Sequence, residues 1–273
     1  MGPLLALASA VLYGIVDFAG GLLSRRAHFA AVTFLGQVGG LLLATSAAFL
    51  LPADAVHPVD LLWGALSGVG SGAAMHFLNR GLSHGAMSVV VPVSAVTGVA
   101  LSVVCGVLLG DQPTAVAWLG IVLSVPALWM VCGGGTDDGG GVLDGLPASA
   151  GVALQYIALA QAGASSGLWP VAAGRMAAVL VLLPAAARHP RRLRPPPVRA
   201  VQAVLVGAGA ALGLILYLLA AQRQLLAVAV VLASLYPALP VILGLALLHE
   251  RLGRKQVVGL LGAGVATVLL SLG

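Results

Sequence analysis

The run GGGTDDGGG, residues 133–141, stands near the middle of a 273-residue chain that is apolar almost everywhere else. On its N-terminal side, charges, prolines and glycine clusters mark out five apolar segments, at about residues 3–23, 29–51, 59–79, 86–109 and 115–132. On its C-terminal side they mark five more, at about 142–162, 166–187, 199–221, 225–248 and 256–272. A run of six glycines, a threonine and two aspartates has no side chains with which to build a core, and glycine-rich chain behaves as a flexible linker. The run therefore predicts a joint between two halves of five segments each.

Composition says what the segments are. Hydrophobic residues make up 60% of the chain and charged residues 8%, with a mean hydropathy of +1.08, whereas ordinary globular domains carry roughly 25% charged residues. A water-soluble fold of this size has too few polar side chains here to cover its surface. Disorder is excluded because low hydrophobicity is its signature. A disulfide framework is excluded because the two cysteines, Cys105 and Cys132, both lie in apolar runs. A helix needs about 20 residues to cross the ~30 Å hydrocarbon layer, so ten of them take up roughly 200 residues. The expected fold is all-α, a polytopic membrane protein of ten transmembrane helices. The opening MGPLLALASAVLYG has no basic n-region and reads as a first span, not a cleaved signal peptide.

Five is odd, so if the halves are copies of one unit the second must sit upside down relative to the first. Asp111 lies nine residues before Gly120 and Glu250 nine before Gly259, each acid closing the fourth segment of its half, at an offset of 139 residues. Loops one, three, five, seven and nine hold 11 of the 13 Lys and Arg residues, and the even loops hold only Arg223. The positive-inside rule places the odd loops in the cytoplasm and both termini outside. Net positive charge thus reports orientation, and no nucleic-acid partner is expected. All four tryptophans, Trp63, Trp118, Trp129 and Trp169, fall near segment ends as an aromatic belt. Gly64, Gly68, Gly72 and His76 recur every four residues, as do Gly259, Ala263, Thr267 and Ser271, so each set forms a small-residue stripe suited to close helix packing.

The ten segments, the short loops, the acid closing the fourth segment of each half and a first segment reading YGIVDFAGGLLSRR together resemble the drug/metabolite transporter superfamily, specifically its EamA-type members. The most recognisable piece is LALLHERLGRKQVVGLLGAGVA, residues 245–266, while Asp111 replaces the family's usual glutamate in the first half. The resemblance covers the whole chain and implies two EamA-like five-helix repeats, residues 1–132 and 142–273, inverted about the linker 133–141. It implies carrier-type movement of a small metabolite or drug-like solute, often export; the expected function is a secondary transporter in the cytoplasmic membrane, working by alternating access and driven by a proton gradient or by the solute's own gradient. It also implies cytoplasmic termini, the reverse of the loop charges. Passive facilitation is the alternative, with a membrane-embedded enzyme or a sensor behind it, and a homodimer is left open.

Some side chains suit such a role. Asp17 lies inside the first segment, where a charge costs at least about 2.5–3.5 kcal/mol on insertion scales and so must face protein or water. It could carry a coupling proton or bind a cationic group, with Tyr13, Gly20, Gly21 and Ser24 on roughly its face, or it could pair with Arg25 or Arg26. Arg175, inside the seventh segment, could hold a carboxylate or phosphate, pair with Asp17, or act as a structural hydrogen-bond hub. His76 and Asn79, three apart, are expected to share a face that meets a polar solute. Of the adjacent Gln155 and Tyr156, one is expected to face a cavity, and Tyr236 is another candidate wall. Pro92, Pro237 and Pro240 are expected to kink a gating helix in each half. The six histidines, His28, His57, His76, His84, His189 and His249, have no metal-ligand spacing. GGGTDDGGG lacks the Lys of a nucleotide-binding loop and the Ser or Thr that must follow it, and no catalytic cluster exists. No metal, no cofactor and no enzymatic activity are expected.

Overall fold

The computed structural model describes residues 2–108, 114–132, 140–188, 193–221, 236–250 and 252–272. Among them are ten α-helices: α1 Gly2–Arg26, α2 Phe29–Leu50, α3 Pro58–His84, α4 Met87–Leu108, α5 Ala115–Cys132, α6 Gly140–Ala160, α7 Trp169–Arg188, α8 Pro197–Ala221, α9 Ala238–Leu247 and α10 Arg254–Leu272. Helix is the form an apolar chain takes in lipid, because every backbone N–H and C=O must then be satisfied within the segment. Four of the described helices, α1, α2, α3 and α8, are each long and apolar enough to cross a membrane. Leucines and valines such as Leu62, Val125, Leu205 and Leu261 are exposed on the outer faces.

Local chemistry sets the helix starts. His28 Nδ1 accepts the free N–H of Ala30 at α2 (3.3 Å), Thr114 Oγ1 that of Ala117 at α5 (3.4 Å), and Gln256 Oε1 reaches back to the N–H of Gly253 at α10 (2.9 Å). Pro58 opens α3, where its missing N–H costs nothing.

The halves interlock. α3 packs on α6 and α7, α8 packs on α1 and α2, and α5 packs on α10. Exchanging α1 with α6, α2 with α7, α3 with α8 and α5 with α10 leaves this pattern unchanged. The copies are inverted: Arg80, near the C-terminal end of α3, binds Asp144 near the start of α6, and Arg199, near the start of α8, donates to the carbonyl of Arg26 at the end of α1. Gln256, near the start of α10, likewise donates to the carbonyl of Val131 at the end of α5 (3.3 Å).

Two crossings bring backbone closest to backbone. A Cβ on Gly68 would fall within the backbone of Gly174, joining α3 to α7, and one on Gly207 within that of Gly36, joining α8 to α2. Gly207 stands 139 residues after Gly68, the same offset that separates Asp111 from Glu250. The stripe Gly64, Gly68, Gly72 therefore faces α7, with Gly64 on Pro170 and Gly72 on Ala178. In the second stripe Gly259 sits against Ala127 and Val131 of α5. Hydroxyls tie equivalent pairs as well: Ser9 donates to the carbonyl of Gly213 (α1 to α8, 2.7 Å), and Ser67 to that of Gln155 (α3 to α6, 2.9 Å).

Several expectations shift. α3 runs to His84, five residues past the expected end at Asn79, because Arg80 is anchored by Asp144 and needs no loop. Gly140 and Gly141 of the expected linker belong to the first turn of α6, where the backbone donors have no helical partner anyway; residues 133–139 lie outside the described residues. So do Asp111, Arg191, Arg192, Arg223, Arg251 and residues 225–235 of the ninth segment. Pro237 precedes α9 and Pro240 lies in its first turn, so neither breaks a hydrogen bond within that helix. Pro92 does stand inside α4, leaving the carbonyl of Ser88 without its helical donor.

Replacing Gly68 with alanine should destabilise the protein by at least about 2 kcal/mol, since the methyl meets backbone that cannot move aside. Gly264, with nothing within 4 Å of a new Cβ, should accept alanine without loss. Thermal unfolding of the two variants in detergent measures the contrast.

Candidate functional site

Between the halves lies a cavity of about 320 Å³. Its polar lining is drawn from nearly every helix: Tyr13 and Asp17 of α1, Thr33 and Gln37 of α2, Ser71 and Asn79 of α3, Ser94 of α4, Gln155 and Tyr156 of α6, Arg175 of α7, Tyr217 of α8, Tyr236 just before α9, and Thr267 of α10. Between them stand small and apolar residues, among them Val16, Ala74, Val152, Gly207 and Ala210.

The glycine crossings position the charged centre. Gln37 follows Gly36 and Arg175 follows Gly174, so each crossing glycine is succeeded by a long polar side chain. The two side chains meet: Arg175 Nη1 donates to Gln37 Oε1 at 3.0 Å and to Ser71 Oγ at 3.4 Å. Arg175 is buried, and these partners are neutral. Asp17 is buried as well, and no described residue makes a hydrogen bond or ion pair with its carboxyl group. Asn79 Nδ2 donates to Thr33 Oγ1 at 3.0 Å, which fixes the α2–α3 wall, and the Tyr13 and Tyr236 rings lie 6.0 Å apart.

Seven of the eight side chains singled out as solute contacts, all but His76, line this cavity, and so does Pro237. Both Gln155 and Tyr156 do so, although one was expected, because the cavity meets a face of α6 about 100° wide that also includes Val152. His76 lies outside the lining: its ring packs edge-on against Phe29 (5.2 Å) and Phe77 (5.5 Å), while Asn79 turns inward. Three residues of helix leave about 60° between two side chains, enough at this seam to put one inside and one outside. Gly21 packs on Leu82 and Met87, and Ser24 is buried away from the cavity, so the stripe beyond Asp17 is packing surface. Asp17 does not pair with Arg25, which instead reaches the carbonyls of Leu82 (3.1 Å) and Gly85 (2.8 Å). Nor does Arg175 pair with Asp17. Thr33, Gln37, Ser71 and Tyr217 were not anticipated; the signal for each is a polar group inside a lipid-length apolar run.

Both ends of the bundle carry polar links, and every acid in them crosses from one half to the other. At the odd-loop end Glu250 accepts the N–H groups of Met87 (2.9 Å) and Ser88 (3.0 Å), the Ser88 hydroxyl (2.7 Å) and Arg25 (3.3 Å). There too Asp144 binds Arg80 and His84, the latter at 3.2 Å. A carboxylate on the free N–H groups that open α4 is favoured both by hydrogen bonding and by the helix dipole. At the even-loop end Asp60 accepts the N–H of Gly163 (2.9 Å) and the Ser166 hydroxyl (2.6 Å), and Ser166 Oγ accepts the N–H of His57 (3.1 Å).

The model of the EamA-like transporter family matches the chain twice, over residues 1–133 and 141–272. A solved structure, described only as the crystal structure of a protein, aligns with a TM-score of 0.59 and 14% identity over 99% of this chain and 98% of that one. That likeness concerns the fold alone. No curated protein matches.

Exchanging Gln37 for leucine removes the nearer acceptor of a buried guanidinium and should cost about 1–3 kcal/mol. Exchanging Thr33 for valine removes a neutral pair and should cost about 0.5–1.5 kcal/mol. Unfolding curves in detergent rank the two.

Proposed function

Because this chain belongs to the EamA-like transporter family, we propose that it carries its solute by alternating access through the cavity between its two halves. The coarse activity is membership itself: a multi-pass integral membrane protein that moves small solutes and is not an enzyme. The finer reading is ours. Residues 1–132 and 142–273 act as two working halves in the cytoplasmic membrane, joined by the glycine-rich run 133–141, and export a small metabolite or drug-like compound.

The observation that carries alternating access is the placement of the polar links. The cavity lies between the halves, and the links at each end join one half to the other, Glu250 and Asp144 at one end and Asp60 at the other. Rocking one half on the other releases one end while the other holds, so the cavity communicates with one side at a time. The glycine crossings near the middle supply the close contact about which such rocking turns. Asp17 is the coupling group: it faces the cavity and has no partner among the described residues, so a proton is free to reach it when its side is open. Cavity, coupling group and end links all come from one chain, so a homodimer is not needed for the cycle.

A passive pore is the competing possibility, and solute counterflow in liposomes separates the two, since a carrier exchanges solute against its gradient and an open pore does not. In the same assay, Asp17→Asn should make whatever counterflow remains insensitive to an imposed pH gradient. An unchanged pH response would remove Asp17 from the coupling role.

The end links make a second outcome measurable. With Cys105 and Cys132 replaced by alanine and Ser94 by cysteine, Glu250→Ala should speed labelling of the cavity cysteine from the odd-loop side. Asp60→Ala should speed it from the other. Equal effects on both sides would count against alternation.

A further inference from the structure

We propose that the solute taken by this cavity is a small zwitterion, its anionic group held by Arg175 and its cationic group set against Asp17; this rests on the carrier reading above. Two buried groups of opposite charge line one cavity and do not neutralise each other. Arg175, 6% exposed, spends Nη1 on Gln37 and Ser71, both neutral, and no acid among the described residues lies within ion-pair distance of it. A guanidinium has five N–H donors in a planar fork suited to a carboxylate or phosphate, so most of this capacity is unspent. Asp17, 8% exposed, has no hydrogen-bond or ion-pair partner among the described residues.

Direct pairing is the ordinary way to compensate two such groups. Here they are held apart, with Tyr13 and Tyr156 within electrostatic range of both. A solute with a single positive charge would satisfy Asp17 and meet Arg175 unscreened; one with a single negative charge would do the reverse. A solute bearing both supplies a counter-charge to each, and its desolvation is repaid at both ends. The size agrees, since about 320 Å³ lies at the small end of ligand cavities. The Tyr13 and Tyr236 rings offer an apolar wall for the body of such a molecule.

The test uses the full chain in liposomes and three matched series at neutral pH: alanine, leucine, phenylalanine and glycine betaine as zwitterions, the amino-acid methyl esters as cations, and the N-acetyl amino acids as anions. Counterflow is measured for each, and ligand-induced stabilisation against heat is measured in parallel. At least one zwitterion should exceed its single-charge relatives by about tenfold or more, the scale of one lost charged contact. Arg175→Gln should move the preference toward the ester and Asp17→Asn toward the N-acetyl compound, while Arg175→Lys retains the zwitterion preference.

A wild-type protein that prefers a singly charged solute overturns the inference and leaves the carrier reading standing. Zwitterion binding seen as stabilisation, without counterflow, overturns the carrier reading and leaves the site assignment standing. Equal loss of all three series in both variants marks a structural role for the two charges and overturns the inference, as does the absence of both binding and counterflow for every zwitterion in folded protein.

Discussion

Two backbone-on-backbone crossings, Gly68 on Gly174 and Gly207 on Gly36, are the contacts from which the rest of this molecule follows. In lipid no hydrophobic force drives helices together, so association depends on close van der Waals approach and on polar ties. Glycine allows the closest approach, and it does so here at equivalent points in the two halves. The consequence is geometric. The residue after each crossing glycine in α2 and α7 is thrown toward the common interior, and those residues are Gln37 and Arg175. A packing device thus sets the polar centre of the cavity.

Charge is handled in two ways along the same chain. At the ends, three acids are engaged: Glu250 takes up the first N–H groups of α4 and Arg25, Asp144 binds Arg80 and His84, and Asp60 binds the segment containing Gly163 and Ser166. In the middle, Arg175 has only neutral partners, and Asp17 has none among the described residues. Engaged charges hold halves together, and unengaged ones in a cavity are available to something that enters it. The division matches the needs of a carrier, whose ends must latch and whose centre must bind.

Much of the fold was legible because lipid imposes a simple rule. Apolar runs of about 20 residues become helices whatever their detail, so segments such as 29–51 and 115–132 correspond closely to α2 and α5. The odd number of segments per half already required inversion, and the contacts between Arg80 and Asp144 and between Arg199 and Arg26 display it. Of the cavity lining, the two charged members and three of the four tyrosines were legible, since Asp17, Arg175, Tyr13, Tyr156 and Tyr236 are conspicuous inside apolar runs. His76 was misplaced, and Gln37, Thr33, Ser71 and Tyr217 were missed, because a neutral polar residue in a membrane helix is cheap enough to face either a neighbour or a cavity.

The sequence by itself determined the membrane class, the count of segments, the two halves and their inversion, and the presence of two charges that must be sheltered from lipid. These depend on composition and length, which are sums along the chain. Only the tertiary structure decided which helices cross, that Arg175 meets Gln37 and not Asp17, that His76 packs among phenylalanines while Asn79 turns inward, and that the acids at the ends bridge the halves. Those outcomes depend on the rotation of each helix about its axis and on its depth against a neighbour. Both are set by side-chain shape at contacts between residues that lie as many as 225 positions apart in sequence, beyond the reach of any local pattern.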